Sequence, residues 1–295
     1  MSTVLTTRPD SASVTCSLTG DKPRRRRRRR LLWLALAATI CAATILSIAG
    51  LNSGAPSHRM ANRIPEWAPL MAGYFAEIAD PAGVHLKNWR EVPSNLGPRD
   101  VADLAGVGLI QFNPKTHEVD EVIFSNHLGG AASTVMPGNQ AVGVARDFAV
   151  GKYLGFSALT FRAAEFIDHH EFAEYRITWQ ARAGRAWLPS MVAIGINART
   201  GQVAYYSSTR LRVTISTVPD IGATAAARAA LTVANLDGSA RTGAPELTVQ
   251  ANASTQQLVW SVPVLEASSS RPHIARDVIV WVDAHTGQAR VVART

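Results

Sequence analysis

A seven-residue stretch that occurs three times decides the fold: residues 113–119 read NPKTHEV, residues 197–203 read NARTGQV and residues 283–289 read DAHTGQA. The copies begin 84 and 86 residues apart, which is the regular spacing of repeated modules. The Asn or Asp that starts each copy can accept hydrogen bonds from the backbone ahead of it, and a Gly at the fifth position supplies the positive φ that closes a hairpin. The first copy has His117 there, and histidine is one of the few other residues enriched at positive φ. Each copy therefore predicts a tight turn between two strands.

Strand-like sequence flanks each turn. Apolar runs lead into the three turns at 109–112, 192–196 and 278–282, and further strand-like runs follow them at 119–124, 203–206 and 289–292. Additional strands are predicted ahead of the second and third turns, at 161–167, 172–181, 246–250 and 257–265. The first turn has fewer predicted strands ahead of it.

A helix is predicted upstream of each turn. In the first helix, apolar residues recur at helical spacing along one stripe: Trp67, Leu70, Met71, Tyr74, Phe75 and Ile78. The second helix is predicted over about 139–154, with inward-facing residues Val142, Ala145, Ala149 and Tyr153. The third is predicted over about 224–236, with Thr224 as its N-cap.

A helix followed by an antiparallel meander is an α+β module. We therefore predict an α+β protein made of tandem helix-plus-antiparallel-sheet repeats: a degenerate first repeat at 64–126, a second at 137–210 and a third at 220–295. A unit of roughly 60–85 residues has only a marginal core by itself. The three repeats are therefore expected to pack against one another.

The N-terminal region has a different composition. Residues 1–30 are rich in Ser, Thr and Asp and end in seven consecutive arginines, which predicts a disordered basic tail. An uncharged run follows at 31–51, and its 21 residues would span about 31 Å as a helix, close to the roughly 30 Å hydrocarbon core of a bilayer. Residues 31–51 are thus predicted to be a transmembrane helix, and residues 52–63 a linker.

The arginines predict the orientation of this span. Positive residues stay on the cytoplasmic side, so the N-terminus is expected in the cytoplasm and the region after residue 51 outside it, in a single-pass protein of the cell membrane. The alternative is a cleaved signal peptide, because residues 53–55 are small, although the apolar run is longer than a usual signal sequence. Both interpretations export the C-terminal region, which lacks cysteine because Cys16 and Cys41 precede it.

The net charge of +8 belongs mainly to the tail. Residues 1–30 carry nine Lys or Arg against two Asp, whereas the other 265 residues carry 21 basic and 20 acidic side chains. The exported region is thus nearly neutral, which argues against a nucleic-acid partner. The first predicted partner is the lipid bilayer, through residues 31–51.

The third repeat resembles a known family. Residues 280–289 (VWVDAHTGQA), preceded by 258–262 (LVWSV), resemble the closing hairpin of PepSY domains, and related YcdB/YcdC-type repeats and the propeptides of thermolysin-like proteases share the pattern. The resemblance extends over about 223–293, less closely over about 140–208, and only poorly over the first repeat. It implies a small helix-plus-sheet module, commonly exported or membrane-anchored in bacteria, that binds or restrains peptidases. The family shares no catalytic residues, so Asp283 and Gly287 are interpreted as turn residues.

No catalytic, cofactor-binding or metal-binding residue is predicted. Residues 170–174 (HEFAE) begin like a zinc-protease motif, but Glu174 stands where the second histidine is required, and the segment is more typical of a strand. Residues 128–133 (LGGAAS) are glycine-rich but lack the lysine and hydroxyl of a phosphate-binding loop. The eight histidines are scattered along the exported region.

Four tryptophans allow two interpretations. They either line a ligand groove or fill the core between repeats: Trp179, Trp187, Trp260 and Trp281. The core is favoured, because aromatic residues in strands usually pack. Trp187, predicted to lie in a loop, is the one to test for exposure.

These features together predict a non-enzymatic binding module that is membrane-anchored and extracytoplasmic. Its expected partner is an exported peptidase, which it would restrain or inhibit, or another envelope protein, and its sheet edges offer places for an extended peptide to add as a strand. One alternative is a structural or assembly protein of the envelope that has no peptidase partner. The other is an enzyme of unrecognised type. No cofactor is expected.

Overall fold

The computed structural model describes residues 66–78, 83–125, 134–168, 172–235, 240–265 and 277–294. The predicted tail, membrane span and linker lie outside these residues, as do the glycine-rich segment at 128–133 and the first two residues of the HEFAE segment. None of the helices in the described ranges has the length and apolar character that a bilayer crossing requires.

The described residues form an α+β structure, as predicted. The α-helices are α1 (Trp67–Phe75), α2 (Gly138–Lys152) and α3 (Ala223–Ala234). Ahead of α2 come β1 (Leu86–Val92), β2 (Arg99–Leu104), β3 (Gly108–Phe112) and β4 (Val119–Phe124). Between α2 and α3 come a short 3₁₀ helix (Phe156–Ala158), β5 (Thr160–Asp168), β6 (Ala173–Ala183), β7 (Ala186–Asn197) and β8 (Val203–Thr209). After α3 come β9 (Arg241–Thr242), β10 (Glu246–Ala251), β11 (Gln256–Leu265), β12 (Asp277–Asp283) and β13 (Ala289–Arg294).

The three predicted turns have one geometry. In the second turn, Asn197 Oδ1 accepts hydrogen bonds from the backbone N–H groups of Arg199 and Thr200, at 2.9 and 3.1 Å. The side chains of Asn113 and Asp283 accept the equivalent pairs of hydrogen bonds in the other two turns. The fifth residues all have positive φ: 61° at His117, 74° at Gly201 and 78° at Gly287. The prediction that His117 adopts the glycine conformation is confirmed.

The first repeat has more strands than the sequence predicted. Its helix α1 is followed by four consecutively paired antiparallel strands, β1 to β4, just as α2 is followed by β5 to β8. The expectation of fewer strands was wrong because β2 carries a charged residue at three of its six positions and β1 lacks an apolar alternation that could reveal it. Among its seven residues only Trp89 is buried.

Helix α1 packs part of the predicted stripe against the core, because Phe75 is buried and Trp67, Met71 and Ile78 are partly buried against it. Ala68, Ala72 and Phe75 are buried, whereas Leu70 and Tyr74 are exposed. Small side chains let the helix lie close to the sheet, and the Tyr74 hydroxyl instead donates to the carbonyl of Gly151 at the end of α2. The other two helices also bury alanines: Ala141, Ala145 and Ala149 in α2, and Ala226, Ala230 and Ala234 in α3. Thr224 is not the N-cap of α3, because that position is held by Gly222.

The first two repeats share one antiparallel sheet of eight strands. It runs β1–β2–β3–β4–β8–β7–β6–β5, because the last strand of each repeat pairs with the other. Val122 pairs with Tyr206, which follows it by 84 residues, the same spacing that separates the first two turns. The flanking pairs, Glu121 with Ser207 and Ile123 with Tyr205, are symmetric about this one. The two repeats are therefore related by an approximate twofold axis that passes between Val122 and Tyr206.

Helices α1 and α2 cover one face of this shared sheet. A row of paired residues crosses that face, and all of its members are buried: Trp89, Ala102, Ile110, Val122, Tyr206, Ile194 and Ile177. The ring of Tyr206 lies 4.8 Å from that of Phe75 in α1 and 6.2 Å from that of Phe148 in α2. Tyr206 therefore packs against both helices at the centre of one common core.

The third repeat has a core of its own, in which α3 packs on β11, β12 and β13. It joins the shared sheet through β7, where Trp187 pairs in parallel with Thr248 of β10. Pairing of β7 with β8 begins at Met191. Pro189 lies between Trp187 and Met191. Because proline has no N–H to donate, β7 changes its partner strand at a position where one hydrogen bond of the sheet is missing.

Candidate ligand groove

A groove of about 670 Å³ lies between the shared sheet and the third repeat. Its floor is the sheet face that points away from α1 and α2. Successive side chains of a strand point to opposite faces, so the neighbours of buried Val122 and Tyr206 face the groove. Glu121 and Ser207 are directly paired there, and Gln111 pairs with Glu121 from the other side. The fold therefore places three polar side chains next to one another on this floor.

The groove has two walls from distant parts of the chain. One is the loop between β1 and β2, at 93–96, and the other comes from the third repeat and includes Trp281 and Arg290. The guanidinium of Arg290 lies 5.2 Å from the centre of the Trp281 ring. The walls also meet, because the backbone N–H of Ala253 donates to the carbonyl of Asn95 at 2.8 Å.

Arg99 fixes the first wall to the floor. Its buried side chain forms an ion pair with Asp120 of β4 and donates to the carbonyls of Leu96 and Pro98, each at 3.1 Å. Burial raises the pKa of Asp120, while the positive charge of Arg99 opposes that rise. The hydrogen bonds and the ion pair of Arg99 are thus made within the protein, and they fix the position of the 93–96 loop beside the groove.

Glu121 is buried in the groove with part of its carboxylate unsatisfied. Its residue is 7% exposed, and its Oε2 has no hydrogen-bond partner among the described residues. Burial, and to a smaller degree the charge of Asp120, raises the pKa of Glu121 to about 7. An unpaired buried carboxylate costs free energy. The groove floor therefore holds a buried acceptor that has no partner among the described residues.

Trp281 provides an unpaired donor on the opposite wall. Its Nε1 is buried and has no acceptor within the part of the chain that the structure describes. The indole of Trp260, by contrast, donates to the carbonyl of Ile221 at 2.7 Å. The groove lining therefore contains two buried polar atoms without partners, Glu121 Oε2 and Trp281 Nε1.

The four tryptophans divide between the two interpretations. Trp179 and Trp260 lie in the cores, and Trp281 lines the groove. Trp187 is half-buried and belongs to β7, so its predicted loop position was wrong. The guanidinium centres of Arg162 and Arg182 lie 4.8 and 5.2 Å from its ring.

An ion pair joins the second and third repeats beside the groove. Arg162 of β5 contacts Glu246 of β10 at 3.0 Å, and both side chains are largely buried. Arg162 also hydrogen-bonds to Gln180, whose own amide donates to the carbonyl of Leu188 at 2.5 Å. Gln180 in turn lines the groove. This network holds the third repeat against the shared sheet.

The described histidines do not come together. His117 packs on Trp67, with ring centres 4.8 Å apart, and His285 Nδ1 lies 2.8 Å from Asp220 Oδ2. Within the ranges that the structure covers, no three His, Cys, Asp or Glu side chains are placed to hold a metal ion. Glu174 lies in β6, as its predicted strand requires.

Sequence reasoning identified none of the charged groove residues. The one available signal was the acidic pair Asp120–Glu121 inside the strand-like run at 119–124. Because side chains alternate along that strand, Glu121 lies on the face of the sheet opposite to the face of Val122. This alternation does not show that a distant repeat covers the face on which Glu121 lies.

Two solved structures are similar to this chain at low sequence identity. No protein-family model matches this sequence, and no curated protein matches it. The C-terminal domain of Bacillus megaterium YpeB is similar in structure at 12% identity and a TM-score of 0.42, over 78% of this chain and 98% of that one. An uncharacterized protein from Eubacterium rectale is similar at 9% identity and a TM-score of 0.42, over 77% of this chain and 81% of that one. At these scores, neither likeness bears on function.

Proposed function

We propose that this protein is a non-enzymatic binding module that holds a polypeptide segment in the groove between its shared sheet and its third repeat. The observation that carries this proposal is the presence of an unpaired acceptor, Glu121 Oε2, and an unpaired donor, Trp281 Nε1, in one preformed groove. A polypeptide offers both donors and acceptors along its length. The groove volume also falls within the roughly 300–1,000 Å³ that is usual for ligand sites.

We further propose that residues 31–51 anchor this module in the cell membrane, with the repeats on the extracytoplasmic side. The apolar run directly after seven arginines supports this topology. The partner that we propose is an exported peptidase or another envelope protein. The resemblance of residues 258–262 and 280–289 to PepSY domains supports the peptidase, because such modules are associated with restraining peptidases.

Co-purification tests the groove as the binding site. Full-length tagged protein is purified from its own membrane in mild detergent as wild type, as Ser207→Trp, which fills the groove floor, and as Val150→Trp, which adds the same side chain to an exposed position of α2. We expect one polypeptide to accompany the wild type and Val150→Trp and to be lost from Ser207→Trp. Equal recovery with all three proteins, or recovery with none, would contradict the proposal. A partner without peptidase activity would favour the assembly alternative.

Cysteine labelling tests the topology. The exposed Val218 is changed to cysteine in the full-length chain, which otherwise carries only Cys16 and Cys41. A membrane-impermeant maleimide applied to intact cells should label the introduced thiol, and Cys16 should react only after lysis. The reverse pattern would contradict the proposed orientation.

A further inference from the structure

We propose that the groove recognises a basic side chain, lysine or arginine, of the bound segment, and that Glu121 is its ion-pair partner. This inference rests on the proposed function and names the chemistry of the segment that binds.

The floor offers an array of oxygen acceptors for a cation. Glu121 lies between Gln111 and Ser207 in adjacent strands, and directly opposed residues of an antiparallel pair have Cβ atoms about 4.5–5.5 Å apart. A carboxylate, an amide oxygen and a hydroxyl oxygen are thus within reach of one another. An ammonium group has three N–H donors and a guanidinium has five, so either can satisfy several of these acceptors at once.

The protein's own cations in the groove are engaged elsewhere. The ionisable groups that line the groove with Glu121 are Arg99, Asp120 and Arg290. Arg99 pairs with Asp120 and with loop carbonyls, and Arg290 stacks on Trp281 at the opposite wall. Glu121 therefore has no ion-pair partner among the described residues. A cation from a ligand would compensate its buried charge, whereas an acidic side chain would be repelled by Glu121 and Asp120.

The opposite wall favours a side chain carried on a peptide over a free amine. Trp281 Nε1 is a donor without an acceptor, and a backbone carbonyl of the bound segment is the acceptor that it lacks. A simple amine or guanidine would satisfy Glu121 but would leave this donor unpaired. The two features together match a basic residue and its adjoining backbone.

Ligand-observed NMR titration of the full-length protein in detergent tests the inference. The probes are the blocked peptide Gly-Gly-Arg-Gly-Gly, the same peptide with neutral citrulline in place of arginine, and ethylguanidinium. We expect the arginine peptide to bind at least tenfold more tightly than the citrulline peptide. Glu121→Gln should reduce this preference to less than twofold. Glu118→Gln, which alters a carboxylate that instead contacts Arg210, should preserve it.

Two further readouts sharpen the test. Binding of the arginine peptide to the wild type should strengthen several-fold between pH 6 and pH 8, as Glu121 loses its proton, and should stay flat in Glu121→Gln. A pH dependence that persists in this variant would assign the effect to Asp120 and contradict the role of Glu121. Trp281→Phe keeps the aromatic ring but removes the donor, so it should weaken both peptides by a similar factor.

The outcomes separate this inference from the proposed function. Equal binding of the arginine and citrulline peptides by the wild type would overturn the basic-residue inference and leave the groove as a polypeptide site. So would an unchanged preference for the arginine peptide in Glu121→Gln. Binding of ethylguanidinium as tight as that of the arginine peptide would show a site for free cations and overturn the peptide part. Absence of binding by all three probes would overturn the inference, while co-purification would still decide the proposed function.

Discussion

The two junctions between the repeats are built in different ways. The first and second repeats meet through the β4–β8 ladder, with Tyr206 near the twofold axis and two helices packed over it. The third repeat meets them through the parallel pair Trp187–Thr248, the Arg162–Glu246 ion pair and one backbone contact at Asn95. The helix-covered side of the first junction is filled with apolar side chains, whereas the second encloses a groove that contains charged and polar side chains among apolar ones.

The first junction therefore contributes mainly to stability, whereas the second contains the groove that we propose as a binding site. Burial of apolar residues on the helix-covered face of this ladder stabilises the first junction. The groove at the second junction contains the unpaired groups of Glu121 and Trp281, which cost stability. Residues that lower stability in this way are expected where a protein needs them for function. Removing the unpaired charge of Glu121 should therefore raise stability, whereas truncating an apolar side chain of the first junction should lower it.

Tyr206→Ala should have the largest effect. It removes a ring that packs against Phe75 and Phe148, and loss of a large core side chain costs about 3–5 kcal/mol of unfolding free energy. Tyr206→Phe keeps the ring and should cost no more than about 1 kcal/mol. Urea unfolding of the full-length chain, followed by tryptophan fluorescence, measures both. A cost for Tyr206→Ala no greater than that for Tyr206→Phe would show that the ring does not hold this junction.

Glu121→Gln should stabilise the protein in a pH-dependent manner. The folded-state pKa of about 7 lies above the ordinary value of 4.5, so the folded state binds the extra proton between these values. Stability of the wild type therefore falls as pH rises through this window, and the full penalty, about 3 kcal/mol, is present above pH 7. The glutamine variant lacks this penalty.

The same urea experiment at several pH values checks this prediction. The two proteins should be about equally stable near pH 4.5, and the variant should be more stable at pH 8. A variant that is less stable than the wild type at pH 8 would mean that the Glu121 carboxylate is satisfied in the folded protein.

Arg162→Ala should loosen the second junction while leaving the first intact. It leaves Glu246 without its ion-pair partner, which should cost about 2 kcal/mol because the pair is largely buried. Hydrogen exchange should become faster in β10 but not in β4 or β8. Arg182→Ala, which removes the other guanidinium near the Trp187 ring, is the control and should change β10 exchange less. Equal acceleration in β4 and β10 would mean that the two junctions unfold as one.

Asp283→Asn should have the smallest effect. Although burial acts to raise it, hydrogen bonds from Gln257, Thr286 and His285 lower the pKa of Asp283 to about 2. The charge therefore contributes stability above the unfolded pKa of about 3.9, and this contribution is lost as pH falls towards 2. Asparagine keeps the acceptor oxygen, as in the other two turns, so the loss at pH 7 should be below about 1 kcal/mol.

The measurement for this turn is the stability difference between wild type and Asp283→Asn from pH 7 to pH 2. It should shrink as pH falls below 4. A difference that stays constant over this range would exclude the charge as its cause.

Local features were the most predictable from the sequence. The three turns depend on one side-chain acceptor and one residue of positive φ, and both requirements can be read within seven residues. The strands flanking those turns were predictable for the same reason. Strand β1 was missed because six of its seven residues are not buried, so no alternation marks it. The buried face of α1 was predicted only in part, because Ala68 and Ala72 are buried while the larger Leu70 and Tyr74 are exposed.

The groove could not be predicted because it depends on contacts between distant segments. Glu121 and Trp281 are 160 residues apart, and Asn95 meets Ala253 across the same opening. Alternation in β4 places Glu121 on the face opposite Val122, where a solvent-exposed position is the ordinary expectation. Only the position of the third repeat turns that residue into a buried carboxylate.

Photo-crosslinking of the full-length chain in a lysate of its own cells tests the central claim most directly. A benzophenone amino acid replaces either Pro93, an exposed residue on the wall of the groove, or Leu154, which is 81% exposed after α2. We predict a polypeptide adduct from position 93 that excess arginine peptide suppresses, and no such adduct from position 154. The same adduct from both positions, or none from position 93, would contradict the account.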